Sequence, residues 1–108
     1  MSKAEGIPFE TAVLVLLTFS RGAESRKKIL IALLSGPKNC NQISQAVGLD
    51  WYTVKKHLPC LSKENLIKSS DFGKSKFYRL TPKGEEVIRA ILSNNEKAFD
   101  INSRSGQP

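Results

Sequence analysis

The sequence predicts a mainly helical α+β domain. Three observations support this fold class. Apolar residues recur at helical spacing in several stretches, and two short β-prone runs flank a turn near Gly73. The 108 residues are enough for one domain with a modest core. The predicted order is helix, helix, short strand, helix, helix, hairpin, helix.

Residues 1–20 combine a loose leader with a predicted helix over 9–19. In that helix only Glu10, Thr11 and Thr18 are polar, so it is apolar on nearly every side. A helix that is hydrophobic all round has to be buried all round, and the rest of the domain is small. We therefore expect a dimerisation helix, and burial within a single-chain core is the alternative.

The second predicted helix covers residues 24–35 and is amphipathic. Ser25 is a suitable N-cap, Gly36 with Pro37 ends the helix, and Asn39-Cys40 is expected to be a short extended link. The residues of its inward stripe are Ile29, Leu30, Leu33 and Leu34.

Two short amphipathic segments separated by a tight turn follow over residues 41–63. Asn41 is the expected cap of the first, and Gly48 ends it. Asp50 is the expected cap of the second. The apolar residues of the first segment are Ile43, Ala46 and Val47. This layout is that of a helix-turn-helix, whose second helix lies in the DNA major groove.

The second helix of this pair has one apolar and one polar face. Val54, Leu58 and Leu61 fall on one stripe, with Trp51 at its edge. The opposite face and its flanks carry Tyr52, Thr53, Lys55, Lys56, His57, Cys60 and Lys63. Pro59 removes one backbone hydrogen bond, at ~3 kcal/mol if the ideal geometry were kept. We therefore expect a kinked or shortened helix that reads DNA with residues 51–58.

A hairpin and a final helix complete the predicted elements. The strands cover residues 67–70 and 76–80, the turn covers 71–75, and the final helix runs from 82 to about 98. Thr81 followed by proline is a helix start signal. Tyr78 and Leu80 are in phase for the inner face of the hairpin, and the helix has an inward stripe of Val87, Ile88, Ile91 and Leu92.

Positive charge is concentrated in residues 51–83. That segment holds eight Lys and Arg against two acidic residues, whereas the remaining residues hold nine against eight. A charge field confined to one module is typical of a protein that binds a polyanion. A basic surface kept for solubility would be expected to spread more evenly. We therefore expect nucleic acid as the partner.

Other classes of function find little support. The two cysteines form neither a disulfide framework nor a CxxC motif, and a single histidine offers no catalytic dyad. We therefore expect no enzyme activity, no cofactor and no metal. The most apolar stretch, residues 12–17, is far shorter than the ~20 residues that span a bilayer. A cytoplasmic protein without a membrane partner is expected.

Four sequence segments together carry a resemblance to a known family. They are QISQAVGL at 42–49, TVKKHL at 53–58, LSKENLI at 61–67 and YRLTPKG at 78–84. In this order and spacing, residues 25–92 resemble the winged helix-turn-helix repressors of bacteria and archaea, of the ArsR-like and MarR-like kind. ArsR-like metal sensors carry a cysteine pair in the second helix, whereas this chain has only Cys60 there, so the resemblance implies no metal site.

The resemblance implies a domain organisation. Residues 21–84 would form the winged helix-turn-helix DNA-binding domain, and the hairpin would be the wing, which contacts phosphate or the minor groove. Residues 85–100 would form a C-terminal helix. Residues 101–108 are almost entirely polar, and for that reason we expect a disordered tail there. The flanking terminal helices, with the stripe over 87–92, would form the dimer.

The candidate DNA-binding residues lie on the second helix of the motif and on the wing. Trp51 is equally consistent with a core position, and His57 with a structural one. Lys74 and Lys76 are the best phosphate candidates, and Lys68 and Arg79 come second. The full set is Trp51, Tyr52, Thr53, Lys55, Lys56, His57, Lys68, Lys74, Lys76 and Arg79.

The function expected is sequence-selective binding of double-stranded DNA by a dimeric transcriptional regulator, acting as a repressor. The alternative is a winged-helix module that mediates protein–protein interaction in a transcription or replication assembly. Cys60 is a weaker candidate for a thiol sensor, because a lone cysteine with no activating partner is more often inert.

Overall fold

The structure, a computed structural model, describes residues 11–105 and the side chains of residues 11–93. The predicted order of elements and the fold class are confirmed. The elements are α1 (Thr11–Leu14) continuing as a π-helical turn (Val15–Phe19), α2 (Ala23–Leu33), β1 (Lys38–Asn39), α3 (Cys40–Val47), α4 (Trp51–Lys63), β2 (Ile67–Phe72), β3 (Ser75–Leu80) and α5 (Pro82–Ser105).

The core lies between the helices and the inner face of the sheet. The stripes predicted from periodicity are confirmed for α2, α4 and α5, with Leu34 and Leu92 only half-buried. In the first helix of the motif Ile43 is buried, but Ala46 is exposed, contrary to its predicted inward position. The buried cluster comprises Val13, Leu17, Ile29, Leu30, Leu33, Ile43, Val54, Leu58, Leu61, Leu66, Ile67, Val87, Ile88 and Ile91.

The three strands form an antiparallel sheet in the order β1-β3-β2. The hairpin turn is tighter than the predicted one over 71–75, because pairing continues to Phe72 opposite Ser75. Gly73, with φ of 63°, adopts the left-handed conformation that such a tight turn needs and that glycine takes without strain. The wing is therefore two six-residue strands joined by Gly73 and Lys74.

Two predicted helix caps are wrong. The N-cap of α2 is Gly22 in a left-handed conformation, and Ser25 lies inside the helix. Asn39, two residues before the predicted Asn41, caps α3: its Oδ1 accepts from the Gln42 amide at 2.8 Å. The Gln42 Oε1 accepts from the Asn39 amide at 2.9 Å. This reciprocal capping box gives hydrogen-bond partners to two backbone amides that would otherwise have none at the start of the helix. Asn41 has no partner with which to form such a box.

Helix α4 follows its predicted cap, Asp50, and ends at Lys63 as predicted. Its predicted cap is confirmed, since the Asp50 carboxylate accepts from the Thr53 amide at 2.8 Å. Of the two expectations at Pro59, a kinked or a shortened helix, shortening is wrong, because α4 runs on to Lys63 with the proline inside. Leu58 and Leu61 lie on either side of Pro59 and are both buried, so the same core holds the turns before and after it.

Helix α5 also starts as predicted and extends further. The Thr81 Oγ1 accepts from the Gly84 amide at 2.9 Å and donates to the Asn65 carbonyl at 2.6 Å. The helix extends to Ser105, so the predicted disorder is wrong for residues 101–105, and 106–108 lie outside the described residues. The sequence has neither glycine nor proline between Gly84 and position 106, and nothing else there forces an earlier end.

The apolar N-terminal helix is buried on one face only. Val13 and Leu17 are fully buried, whereas Val15 is exposed and Phe19 is 75% exposed. All-round burial is therefore wrong for the single chain. The Arg26 guanidinium holds this segment to α2, because its Nη1 donates to the Leu16 carbonyl at 2.9 Å. The predicted leader lies outside the described residues, within which no helix is both long and apolar enough to cross a bilayer.

Candidate nucleic-acid interface

The N-terminal half of α4 presents a polar and aromatic face. At about 100° per residue, Tyr52 lies opposite the buried stripe, with Lys55 and Lys56 on either side of it. Tyr52 is 79% exposed, both lysines are exposed, and Thr53 is half-buried. Because Val54, Leu58 and Leu61 anchor the other side, the orientation of this face is fixed by the core.

An aromatic pair stands at the start of this face. The rings of Trp51 and Tyr52 meet edge to face, with centroids 5.8 Å apart and an interplanar angle of 71°. The Lys55 Nζ lies 5.0 Å from the centroid of the Trp51 ring, which is a cation–π contact. Trp51 is 43% exposed, which is compatible with both roles considered for it, a partly buried core residue and a DNA contact.

The basic residues of the wing divide between its two faces. Side chains alternate along a strand, so Lys76 shares a face with Tyr78 and Leu80, which pack toward the core. Lys68 and Arg79 are directly opposite each other in the ladder and lie on the other face. The predicted site is therefore brought together only in part.

A cleft of about 360 Å³ lies between the start of α3, the start of α4 and the wing. It brings together Lys55 from α4 with Lys74 and Lys76 from the wing. Its full lining is Asn39, Cys40, Asn41, Trp51, Lys55, Lys74, Ser75, Lys76 and Tyr78. Three lysines, one from α4 and two from the wing, converge on one concave surface, an arrangement suited to the closely spaced phosphates of a nucleic-acid backbone.

Sequence reasoning missed several residues of this cleft. Asn39, Asn41 and Ser75 were not among the candidate residues, and Cys40 was expected only to form part of a short extended link. The Asn-x-x-Gln spacing is the signal that locates the N-terminus of α3 here. Burial raises the pKa of the Cys40 thiol, and the nearby Lys55 charge opposes this rise. Burial likewise raises the pKa of Tyr78.

His57 is the candidate that the structure removes from the surface. It is only 6% exposed, and its Cε1 lies 2.8 Å from the position that a Cβ on Gly22 would take. Burial, followed by the charges of Arg26 and Lys56, lowers the pKa of this imidazole below its ordinary value of 6.5. His57 lies at the flank of the polar face on the helical wheel. It nevertheless faces the core, because α2 and the turn before it cover that side of α4.

Two further observations concern groups outside the cleft. Cys60 is half-buried on α4. Among the described residues, no group of three or more His, Cys, Asp or Glu side chains is placed to hold a metal ion.

Comparison with known proteins gives a consistent assignment. A winged helix-turn-helix family model matches residues 24–99. A solved mutant of Lactococcus lactis ZitR is 22% identical, with a TM-score of 0.71, and the match covers 98% of this chain and 66% of that one. Staphylococcus aureus MarR, solved with salicylate and kanamycin, is 23% identical, with a TM-score of 0.71 and coverages of 78% and 59%.

Another ZitR mutant was solved in complex with DNA. It is 24% identical, with a TM-score of 0.64, and the match covers 76% of this chain and 58% of that one. ZitR is described as a zinc-responsive MarR family member. The chain thus spans 58% to 66% of the length of these three structures, and at these identities the likeness concerns the fold. No curated protein matches the chain.

Proposed function

The chain belongs to the winged helix-turn-helix family, and we propose that it binds double-stranded DNA sequence-selectively, as a homodimeric transcriptional repressor. The observation that carries this proposal is the cleft in which Lys55, Lys74 and Lys76 converge beside the exposed face of α4. Phosphate contacts from these lysines would set the register of the duplex, and Tyr52, Thr53 and Lys56 would then meet base edges in the major groove.

The division of the wing assigns different roles to its basic residues. Lys74 and Lys76 line the same cleft as Lys55 of α4. They would contact the same run of DNA backbone phosphates as Lys55 does. Lys68 and Arg79, on the opposite face, would contact the backbone only where the wing enters the groove and both its faces are near DNA. His57 contributes to the position of α4 and is not among the proposed contacts, because it is buried.

The dimer part of the proposal rests on the exposed side of the N-terminal helix. Val15 and Phe19 leave apolar surface uncovered there. The stripe on α5 contributes less than the family resemblance implied, since Val87, Ile88 and Ile91 are buried within the chain itself. In a two-fold dimer the two α4 helices would enter successive major grooves, about 10 base pairs apart. The proposal places the regulator in the cytoplasm. Its action requires DNA binding and no enzymatic activity.

The test is titration of a fluorescein-labelled random-sequence duplex at low salt, with anisotropy as the readout. The Lys56→Ala/Lys74→Ala variant should bind at least tenfold more weakly while its circular dichroism is unchanged. Lys28→Ala is the matched control and should bind as the parent does, because Lys28 lies beside Ile31 and Ala46 on a different surface.

Failure of the parent chain to bind any duplex would reject the proposal. It would favour the alternative, in which the basic face meets an acidic protein partner in a transcription or replication assembly. Equal binding by the parent and a folded double variant would instead reject the assignment of the site. Selection of bound fragments from random DNA then defines the operator.

A further inference from the structure

The centre of the exposed face of α4 is aromatic, and the Tyr52 hydroxyl is its hydrogen-bonding group. Tyr52 occupies the middle of that face, and Trp51 stands beside it in edge-to-face contact. The two rings, here called the aromatic platform, line an open surface pocket together with Thr53, Lys55 and Lys56. The polar side-chain groups of this pocket are the Tyr52 and Thr53 hydroxyls, the Trp51 indole N–H and the ammonium groups of the two lysines.

The residue types of α4 limit how it can read bases. Bidentate hydrogen bonds to guanine come mainly from Arg and Lys, and those to adenine from Asn and Gln. Helix α4 contains no Arg, Asn or Gln. Lys55 is drawn over the Trp51 ring, 5.0 Å from its centroid, which places its charge beside the platform. Among the base-edge features of the major groove, the 5-methyl group of thymine is the one that apolar side chains recognise.

We propose that the aromatic platform of Trp51 and Tyr52 recognises pyrimidine 5-methyl groups, so that this chain favours duplexes with thymine in the major groove beneath α4. This rests on the proposed DNA binding. Lys55 and Lys56 flank the platform, and Lys55 holds the adjacent phosphate, which brings the rings against the methyl groups. The partner is therefore a methyl-bearing duplex surface, matched both in apolar character and in charge.

The size of the effect follows from burial of methyl groups. Removing one methyl that is fully buried against the rings weakens binding by about fourfold. Two contacted methyl groups per half-site would give roughly fifteenfold if their effects are independent.

The experiment uses the full chain and four 24-base-pair duplexes at one salt concentration. Two are alternating dA-dT and the same duplex with uracil replacing thymine, which removes only the 5-methyl group. The other two are alternating dG-dC and the same duplex with 5-methylcytosine, which adds that group. The chain should bind dA-dT at least fourfold more tightly than dA-dU, and methylated dG-dC more tightly than unmethylated dG-dC.

Trp51 is the only tryptophan of the chain, so its emission reports on the platform directly. We expect a larger change in its fluorescence with the methyl-bearing member of each pair at saturation. Tyr52→Ala should abolish most of the methyl preference, because it should weaken binding to the methyl-bearing member of each pair more than binding to the methyl-free member. Phe72→Ala is the matched control, because Phe72 is an exposed aromatic residue outside the platform, and it should keep the preference.

The outcomes separate this inference from the function on which it rests. Binding to none of the duplexes overturns both. Equal affinity for dA-dT and dA-dU, together with clear binding, overturns methyl recognition alone. A preference that is the same in Tyr52→Ala and in Trp51→Ala overturns the platform as its source, because the difference then comes from duplex shape. Since Tyr52 is largely exposed, its variant remains informative even if Trp51→Ala is unstable.

Discussion

At Gly84, helix α5 comes very close to Leu66, which is the last residue before β2. A Cβ at this position would overlap the backbone carbonyl group of Leu66. Leu66 also accepts a hydrogen bond from the Thr81 amide at 3.0 Å, so its carbonyl is held in place from two sides. Only glycine allows this contact, which sets the start of α5 against the base of the wing.

Gly84→Ala should therefore destabilise the chain, although alanine is the better helix former. Relief of the overlap is expected to cost about 1–3 kcal/mol, which outweighs a propensity gain of roughly 0.5–1 kcal/mol. Urea unfolding measures the free energy of unfolding. Ser93→Ala, at an exposed site of the same helix, should be neutral or slightly stabilising. An unchanged midpoint for Gly84→Ala would contradict the close approach.

His57 makes stability depend on pH. Because its pKa is lowered in the folded chain, the unfolded chain takes up a proton first as the pH falls through 6.5. The free energy of unfolding should have its full value above pH 6.5 and should decrease as the pH falls below 6.5. It should level off once the pH is below the pKa of His57 in the folded chain. Thermal unfolding between pH 7.5 and 5.5 measures the slope. His57→Gln should lose most of it, since His57 is the only histidine. A slope equal to that of the parent would show that other groups cause it.

At the scale of elements, the predictable part was the pattern that burial imposes. The stripes of α2, α4 and α5 follow from periodicity because one side of each helix has to face a shared core. What could not be predicted depends on neighbours in space. His57 is buried because Gly22 leaves room above it, and Lys68 and Lys76 separate because the register of the ladder is set by a two-residue turn. The cleft itself requires the wing to lie beside the starts of α3 and α4, from which its turn is distant in sequence.

Asn39→Ala should destabilise the start of α3 by about 1 kcal/mol, because it removes the side-chain half of the capping box. Asn39→Ser should keep most of the stability, since serine is also a good N-cap. The comparison is made by urea unfolding with helicity as the probe. Equal midpoints for the alanine and serine variants would argue against the cap as the cause of any destabilisation.

At the scale of the whole molecule, charge is the property that a single experiment can follow. Binding that neutralises phosphates releases counterions, so the logarithm of affinity falls linearly with the logarithm of salt concentration. Lys74→Ala should flatten this line by about 0.9 for each phosphate that the variant no longer neutralises. The Lys28→Ala control should leave the slope as it is. An identical slope for Lys74→Ala would exclude Lys74 from the phosphate-binding residues.

The exposed side of the N-terminal helix makes a separate prediction about assembly. Phe19→Glu should shift the chain from dimer to monomer, because a charge would replace a large apolar side chain at the proposed seam. Light scattering after size exclusion, over a range of concentrations, measures the mass. Thr18→Glu is a control at a neighbouring exposed position that is already polar. A parent chain that is monomeric at all concentrations would remove the dimer from the proposal.

Asn39 belongs to two structures at once. It pairs with Phe77 in the sheet, and its side chain caps α3, so one residue joins the wing to the helix-turn-helix. The distance between wing and motif is therefore set before any ligand arrives. Association then has little segmental ordering to perform, and the decrease in conformational entropy on binding is smaller than with a free hairpin. For a chain of this size, that pre-organisation is a direct route to useful affinity from few contacts.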